Sequence, residues 1–322
     1  MNRVTVGRNI IRLANGFVNL CVLGAILLLL AFGSYALWDS GQVHALASAQ
    51  NYERFHPSME NETASFSDLQ ALNPDVFAWL TVYGTNIDYP VVQGQDNIRY
   101  INTDAKGNYS LSGAIFLDYR SGPNFSDFSS ILYGHHMENE VMFGEIGSFS
   151  NKAYFDARRY GALYVGGQEH GLEFFAFVHA DAYDHGVFRN GIVEPEARQA
   201  YLDMLLQLAL HTRPDVSVTT NDRIVLLSTC SESSTNGRDI LIGKITGERF
   251  PDPFETETTG NRQALPVVDG LAGLWTTLPL WAKIGAGTTA LLLIVLAVVL
   301  LYTKRRRTGQ ETPDDIKSER GE

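Results

Sequence analysis
The chain has 322 residues, 45% of them hydrophobic, and a formal net charge of -11 at pH 7. That acidic balance argues against a nucleic-acid-binding protein, which needs a basic footprint. Of its two cysteines, Cys21 lies in an apolar N-terminal run, so Cys230 stands alone outside the hydrophobic ends and has no disulfide partner there.

Phe17 to Leu37 runs for about twenty residues without a charge, enough at about 1.5 Å per residue to cross a hydrocarbon core. Arg3, Arg8 and Arg12 precede it and Asp39 follows. The positive-inside bias therefore predicts a cytoplasmic segment 1–16, a transmembrane helix 17–37 and an external continuation. A cleaved signal peptide is the rival reading, with Ala45-Leu46-Ala47 as a faint cleavage signal, but the run is long for an h-region. Residues 38–67 read as a polar, weakly periodic stalk leading into the helical Asp68-Leu69-Gln70-Ala71-Leu72, which Asn73-Pro74 ends.

From there the pattern shortens into strands: Trp79 to Tyr83, Ile87 to Val92, Ala114 to Leu117, Ser130 to Tyr133, Ala162 to Val165 and Leu172 to His179. Glu196 to His211 interrupts them with Tyr201, Leu202, Leu205, Leu206 and Ala209 at helical spacing, and Pro214 stops that helix. Strands Arg223 to Cys230 and Asp239 to Thr246 complete a β-rich domain spanning 68–250. A linker, 251–281, leads to a second apolar run, Ile284 to Tyr302, taken as a transmembrane helix 282–302. Trp275, Trp281 and Lys283 suit an interfacial belt, and Lys304-Arg305-Arg306-Arg307 opens a cytoplasmic tail, 303–322. The expected protein is thus a two-pass membrane protein with both termini in the cytoplasm and the β-domain outside.

An unpaired thiol on an exported domain is oxidisable and is retained where its reactivity is used. Cys230, at the end of the apolar run Ile224 to Cys230, reads as a nucleophile. A thiol is mostly protonated at neutral pH, so attack on an amide needs a nearby base or cation. Histidine suits that task, since its ordinary pKa lets one side chain give a proton to a leaving amine and take one from an incoming nucleophile. Tyr133-Gly134-His135-His136 supplies two candidates, and on an extended segment neighbouring side chains face opposite ways, so only one can face the thiol. The same alternation argues against a metal held by that pair, and no other ligand spacing is present; no metal or cofactor is expected. His170, His179 and His185 read as structural. Arg238 opens the strand after the cysteine, where a guanidinium could donate to a carbonyl oxygen gaining charge; by position alone it is equally a surface arginine.

Several motifs occur in one order: Asn73-Pro74-Asp75-Val76 with Trp79, Gly84-Thr85, Ile87 to Gln93, Asp96-Asn97 and Tyr100, Gly113 to Asp118, Tyr133-Gly134-His135-His136-Met137 with Met142-Phe143-Gly144, and Leu227-Ser228-Thr229-Cys230. Together, over Asp68 to Gly247, they resemble the class B sortases, as does the helix before the cysteine strand. The resemblance implies a closed eight-stranded sortase β-barrel and a cysteine transpeptidase that cleaves a sorting signal on secreted proteins. It implies His135 rather than His136 as the histidine, Arg238 as the catalytic arginine, and Ser228 and Thr229 as substrate-binding. The expected partners are secreted proteins with a C-terminal sorting signal, an amine acceptor from a peptidoglycan cross-bridge or a pilin lysine, and the membrane.

Some features depart from that pattern. Tyr83 stands where class B sequences often have proline, which should alter a loop and no chemistry. A second span is commoner in class C sortases, yet their upstream lid is missing; Asp252-Pro253-Phe254 has its composition but follows the core. Leu265 to Gly270 lacks the Thr-Gly pair of a sorting signal and reads as linker. Two other functions fit the same residues: a membrane-tethered cysteine peptidase or peptidoglycan amidase resolved by water, and an inactive adhesin or assembly scaffold. The order of histidine before cysteine argues against papain-like peptidases, and retention of Cys230, His135 and Arg238 argues against an inactive domain.

Overall fold
The structure is a computed structural model that describes residues 3–57, 64–230 and 236–254, with Cys230 described through its backbone. The expected second span, its flanks and most of the linker before it lie outside the described residues. Helix α1 (Arg3–Ala47) contains an apolar stretch, Ile11–Ala47, long enough to cross a membrane. It ends where Ser48 turns extended, and the Asn51 amide donates to the carbonyls of Ala45 at 2.7 Å and Leu46 at 3.1 Å, satisfying groups that a helix end leaves open.

The segment expected as a stalk is in part core. Ala47 is buried and its carbonyl accepts from the Tyr89 hydroxyl at 3.0 Å. Tyr52, between two short 3-10 turns, and Phe55, at the end of the second, are buried with it, and the Lys106 ammonium lies 5.0 Å from the Tyr52 ring. Weak periodicity hid this, because 3-10 turns bury single side chains rather than a face. Helix α2 (Ala64–Leu72) follows and buries Phe66 and Leu69.

The strands fall where alternation places them, extended by one to four residues at some ends. They are β1 (Val76–Val82), β2 (Asp88–Val92), β3 (Ile115–Leu117) and β4 (Ser129–Tyr133). After the short helix α3 (Lys152–Ala157) come β5 (Tyr160–Val165), β6 (Gln168–Asp181), helix α4 (Pro195–Leu208), β7 (Ala209–Thr212), β8 (Arg223–Cys230) and β9 (Gly237–Thr246). Eight strands close a barrel in the order β5-β1-β2-β3-β4-β8-β9-β6, with β6 returning to β5. The β2–β3 and β4–β8 pairings are parallel, so each needs a long crossover, and the second carries α3, β5, β6, α4 and β7.

Alternation divides the apolar residues into two cores. Val225, Leu227, Leu241 and Phe177 join the barrel interior. Ile224, Leu226, Ile240, Ile242 and Val178 face outward beneath Tyr201, Leu202 and Leu205 of α4. Full burial of each of those three side chains is worth about 1.5–3 kcal/mol, enough to seat the helix. The helix is shorter than its spacing predicts. It stops at Leu208, and Ala209–Thr212 forms β7 on the outer half of β6, where no barrel strand pairs with that edge. Open backbone groups on a buried edge outweigh one more helical turn.

The packed chain continues to Phe254. Phe250 stacks on Tyr160 with centroids 4.2 Å apart, and its carbonyl accepts from the Tyr83 hydroxyl at 3.2 Å. The Phe254 ring covers Gly84, which has φ +76° and where a Cβ would lie 2.6 Å from the ring. Tyr83 thus fastens the chain after β9 to the β1–β2 turn.

Candidate active site
A cavity of about 470 Å³ opens on the outer face of the barrel where β4 and β8 end and β9 begins, and it brings together the His135, Ser228, Thr229 and Arg238 expected from the sequence. Cys230 is the last residue of β8, and its Cα pairs with that of Arg238 across the β8–β9 ladder. Tyr133 pairs with Ser228 on the other side, and the Gly134 N–H donates to the Ser228 carbonyl at 3.2 Å, which carries the chain toward His135. Gly134 is required here by close approach, since a Cβ would meet the Phe143 ring at 2.7 Å.

His135 shares the side of Tyr133 by alternation and lines the cavity, whereas His136 does not; it bridges to Met142. The His135 Nε2 lies 2.9 Å from the Ile101 carbonyl. A carbonyl only accepts, so this nitrogen carries the proton and Nδ1 is the one free to accept in the neutral ring. Arg238 is half-buried and donates from Nη1 to the Gly237 carbonyl at 2.9 Å, leaving donors for the cavity.

Ser228 and Thr229 are 1% and 2% exposed, and both hydroxyls lack a hydrogen-bond partner among the described residues. Such groups are costly unless something pairs with them. Ser228 shares the strand face of Leu226, while Thr229 touches the cavity from the position of the interior face, opposite Asp239.

Sequence reasoning missed the far wall. Asp118, fully buried, accepts from Arg120 Nε at 2.9 Å, from Arg120 Nη2 at 2.7 Å and from the Tyr133 hydroxyl at 3.1 Å. Burial pushes the Asp118 carboxyl up, but the hydrogen bonds and charge of Arg120 hold it below its ordinary value. Burial and the neighbouring Asp118 raise the Tyr133 phenol well above the usual tyrosine range. Asp118 and Tyr133 lie within the quoted motifs, but nothing in the spacing marks Arg120. Phe116 and Phe188 flank the Tyr133 ring at 5.4 and 6.3 Å, and Ala182, His185 and Phe188 bring the loop between β6 and α4 to the cavity. His185, to which the sequence assigned no role, is one of the wall residues. Among the described residues, no group of three or more His, Cys, Asp or Glu could hold a metal ion.

The arrangement suits acyl transfer: a cysteine position paired with a guanidinium, an imidazole with a free acceptor, and a groove with aromatic walls. No family model matches the chain. Sortase B of Listeria monocytogenes is 33% identical over 180 residues, covering 55% of this chain and 72% of that protein. The crystal structure of sortase B from the type II pilus of Streptococcus pneumoniae is 49% identical, with a TM-score of 0.50, covering 57% of this chain and 99% of that one. A Streptococcus pyogenes class B sortase involved in pilus biogenesis is 41% identical with a TM-score of 0.52, covering 56% and 97%. With the barrel order, the helix before the cysteine strand and the cavity at its end, these likenesses place the chain in the class B sortase family.

Proposed function
We propose that the protein is a membrane-anchored cysteine transpeptidase whose nucleophile is Cys230. Cys230 gives its thiol proton to His135, and the resulting thiolate attacks the scissile carbonyl of a sorting signal, of Leu-Pro-x-Thr-Gly-like or Asn-Pro-x-Thr-x-like sequence, on a secreted protein. Arg238 donates to the oxygen that gains charge, and His135 delivers a proton to the leaving amine. Expulsion of that amine leaves a thioester. An incoming amine then loses its proton to His135 as its nitrogen bonds the carbonyl carbon and the thiolate departs. Ser228 and Thr229 line the groove as substrate-binding residues, their buried hydroxyls satisfied by the peptide.

The observation that carries this reading is the pairing of Cys230 with Arg238 on adjacent strands beside a cavity that also receives His135. The pilus origin of the two streptococcal relatives supports a pilin lysine over a peptidoglycan cross-bridge as the acceptor. In the membrane the chain passes twice, with both termini cytoplasmic, as the two basic flanks require.

The test uses full-length protein in detergent with a panel of signal peptides, read by mass spectrometry of the trapped acyl-enzyme. Added amine should divert product from free acid to amide, because a transpeptidase holds the amine close and limits attack by water. Rapid hydrolysis unaffected by any amine would instead identify a peptidase, and absence of an adduct that Cys230→Ala abolishes would sink the assignment of the nucleophile.

A further inference from the structure
Behind the strand end that bears Arg238, a buried carboxyl group meets a half-exposed imidazole at the mouth of the barrel, among apolar neighbours. Asp239 shares its face of β9 with Leu241, which packs in the interior with Phe177 and Leu227. Asp239 is 4% exposed and stands opposite Thr229 of β8 and His179 of β6. Its Oδ1 accepts from His179 Nδ1 at 2.5 Å. The imidazole lies edge-on to Phe177, 5.1 Å between centroids at 83°, and a Cβ on Gly147 would be 3.0 Å from the other carboxyl oxygen. The pair is therefore held by β6, by Phe177 and by the 3-10 turn Ile146–Ser150.

A carboxyl group buried this far is costly unless it is bonded, and a leucine there would simply extend the apolar ladder. What the pair adds is direction. The β8–β9 ladder ends at Cys230 and Arg238, and the β6–β9 ladder ends at Asp181 and Gly237. Rungs at a sheet end open most readily, and the Asp239–His179 bond crosses the strands one rung in from the rung that carries Arg238.

We propose that Asp239 and His179 form a positioning pair that ties the start of β9 to β6 and so holds the Arg238 guanidinium in place beside Cys230. This rests on the reading of Arg238 as the donor to the developing oxyanion. A donor displaced by about 1 Å loses much of its effect on the rate, so the pair acts on kcat through Arg238 rather than on substrate binding.

The test is steady-state cleavage of a signal peptide by full-length protein carrying Asp239→Leu, Asp239→Asn, His179→Gln, Arg238→Ala or the double change Asp239→Leu with Arg238→Ala, with melting temperatures alongside. Asp239→Leu and His179→Gln should each lower kcat about tenfold or more while KM stays within about twofold. Asp239→Asn, whose Oδ1 can still accept from Nδ1, should keep most of the rate. In the Arg238→Ala background, Asp239→Leu should cost nothing further, the sign that both act through one group. An undiminished kcat in His179→Gln, or an equal further loss in the double variant, overturns the proposal. Wild-type turnover by Arg238→Ala removes the oxyanion role itself and the pair's route with it, an outcome read from the single variant alone. Should Asp239→Leu fail to fold, His179→Gln carries the same comparison from a half-exposed position.

Discussion
The His135 imidazole, with Nε2 committed to the Ile101 carbonyl, has one nitrogen left for proton exchange, and its neighbour His136 is not at the cavity. His135→Ala should therefore remove nearly all turnover and His136→Ala much less, measured as kcat/KM on a signal peptide. Reversed losses would mean that the segment after β4 presents its other face. Arg238→Lys keeps a cation but loses the planar fork, and a drop of about two to three orders of magnitude is expected for an oxyanion donor. A drop below about threefold would make Arg238 a bystander. These residues could be singled out in the sequence because each sits beside a strand end with a recognisable motif. Arg120 could not, since its significance comes from a buried carboxyl group two residues away that only the turn after β3 brings back to it.

At the scale of elements, Glu145 shows how a buried charge joins parts of the chain that share no pattern. It is 4% exposed, accepts from the Asn86 backbone N–H at 3.1 Å and side chain at 2.8 Å, and accepts from the Tyr154 hydroxyl at 2.9 Å, tying the β1–β2 turn to α3. Burial raises its pKa, and nearby Glu140 adds to the shift against the opposing hydrogen bonds. A carboxyl raised in the folded state contributes stability that is complete below its unfolded pKa and is lost as pH rises through the folded value. Glu145→Gln keeps an acceptor and removes the charge. Its melting temperature should exceed that of wild type at pH 7.5, with the gap closing toward pH 4; a gap constant across that range would refute the account. Strand positions were legible from period-2 alternation, and α4 from its apolar face. The switch from α4 to β7 was not, because Ala209 continues the helical spacing and only the open edge of β6 decides against it.

For the whole molecule, the closed barrel could be expected from the family resemblance but not from alternation, which says nothing of the two parallel pairings that set strand order. The proposed two-pass topology rests on charge on either side of two apolar runs, of which the first lies in a described helix long enough to cross a membrane. Protease added to intact protoplasts should remove the barrel and spare a tag on either terminus; loss of a C-terminal tag would show that 282–302 does not span. Where the folded domain begins is a matter of packing. The expected boundary at residue 68 cuts away Ala47, Tyr52, Phe55 and Phe66, all buried in the barrel's main core, and strips the Tyr89 hydroxyl of its acceptor. Removing a buried aromatic side chain costs about 3–5 kcal/mol, and the loss of three exceeds the roughly 5–15 kcal/mol by which a domain is stable at its lower end. A chain of residues 46–254 retains all four residues and should melt cooperatively as a soluble domain, whereas residues 68–254 should aggregate or show no cooperative transition. Equal melting temperatures for the two would demote Ala47 to Phe66 to a stalk that merely lies against the barrel.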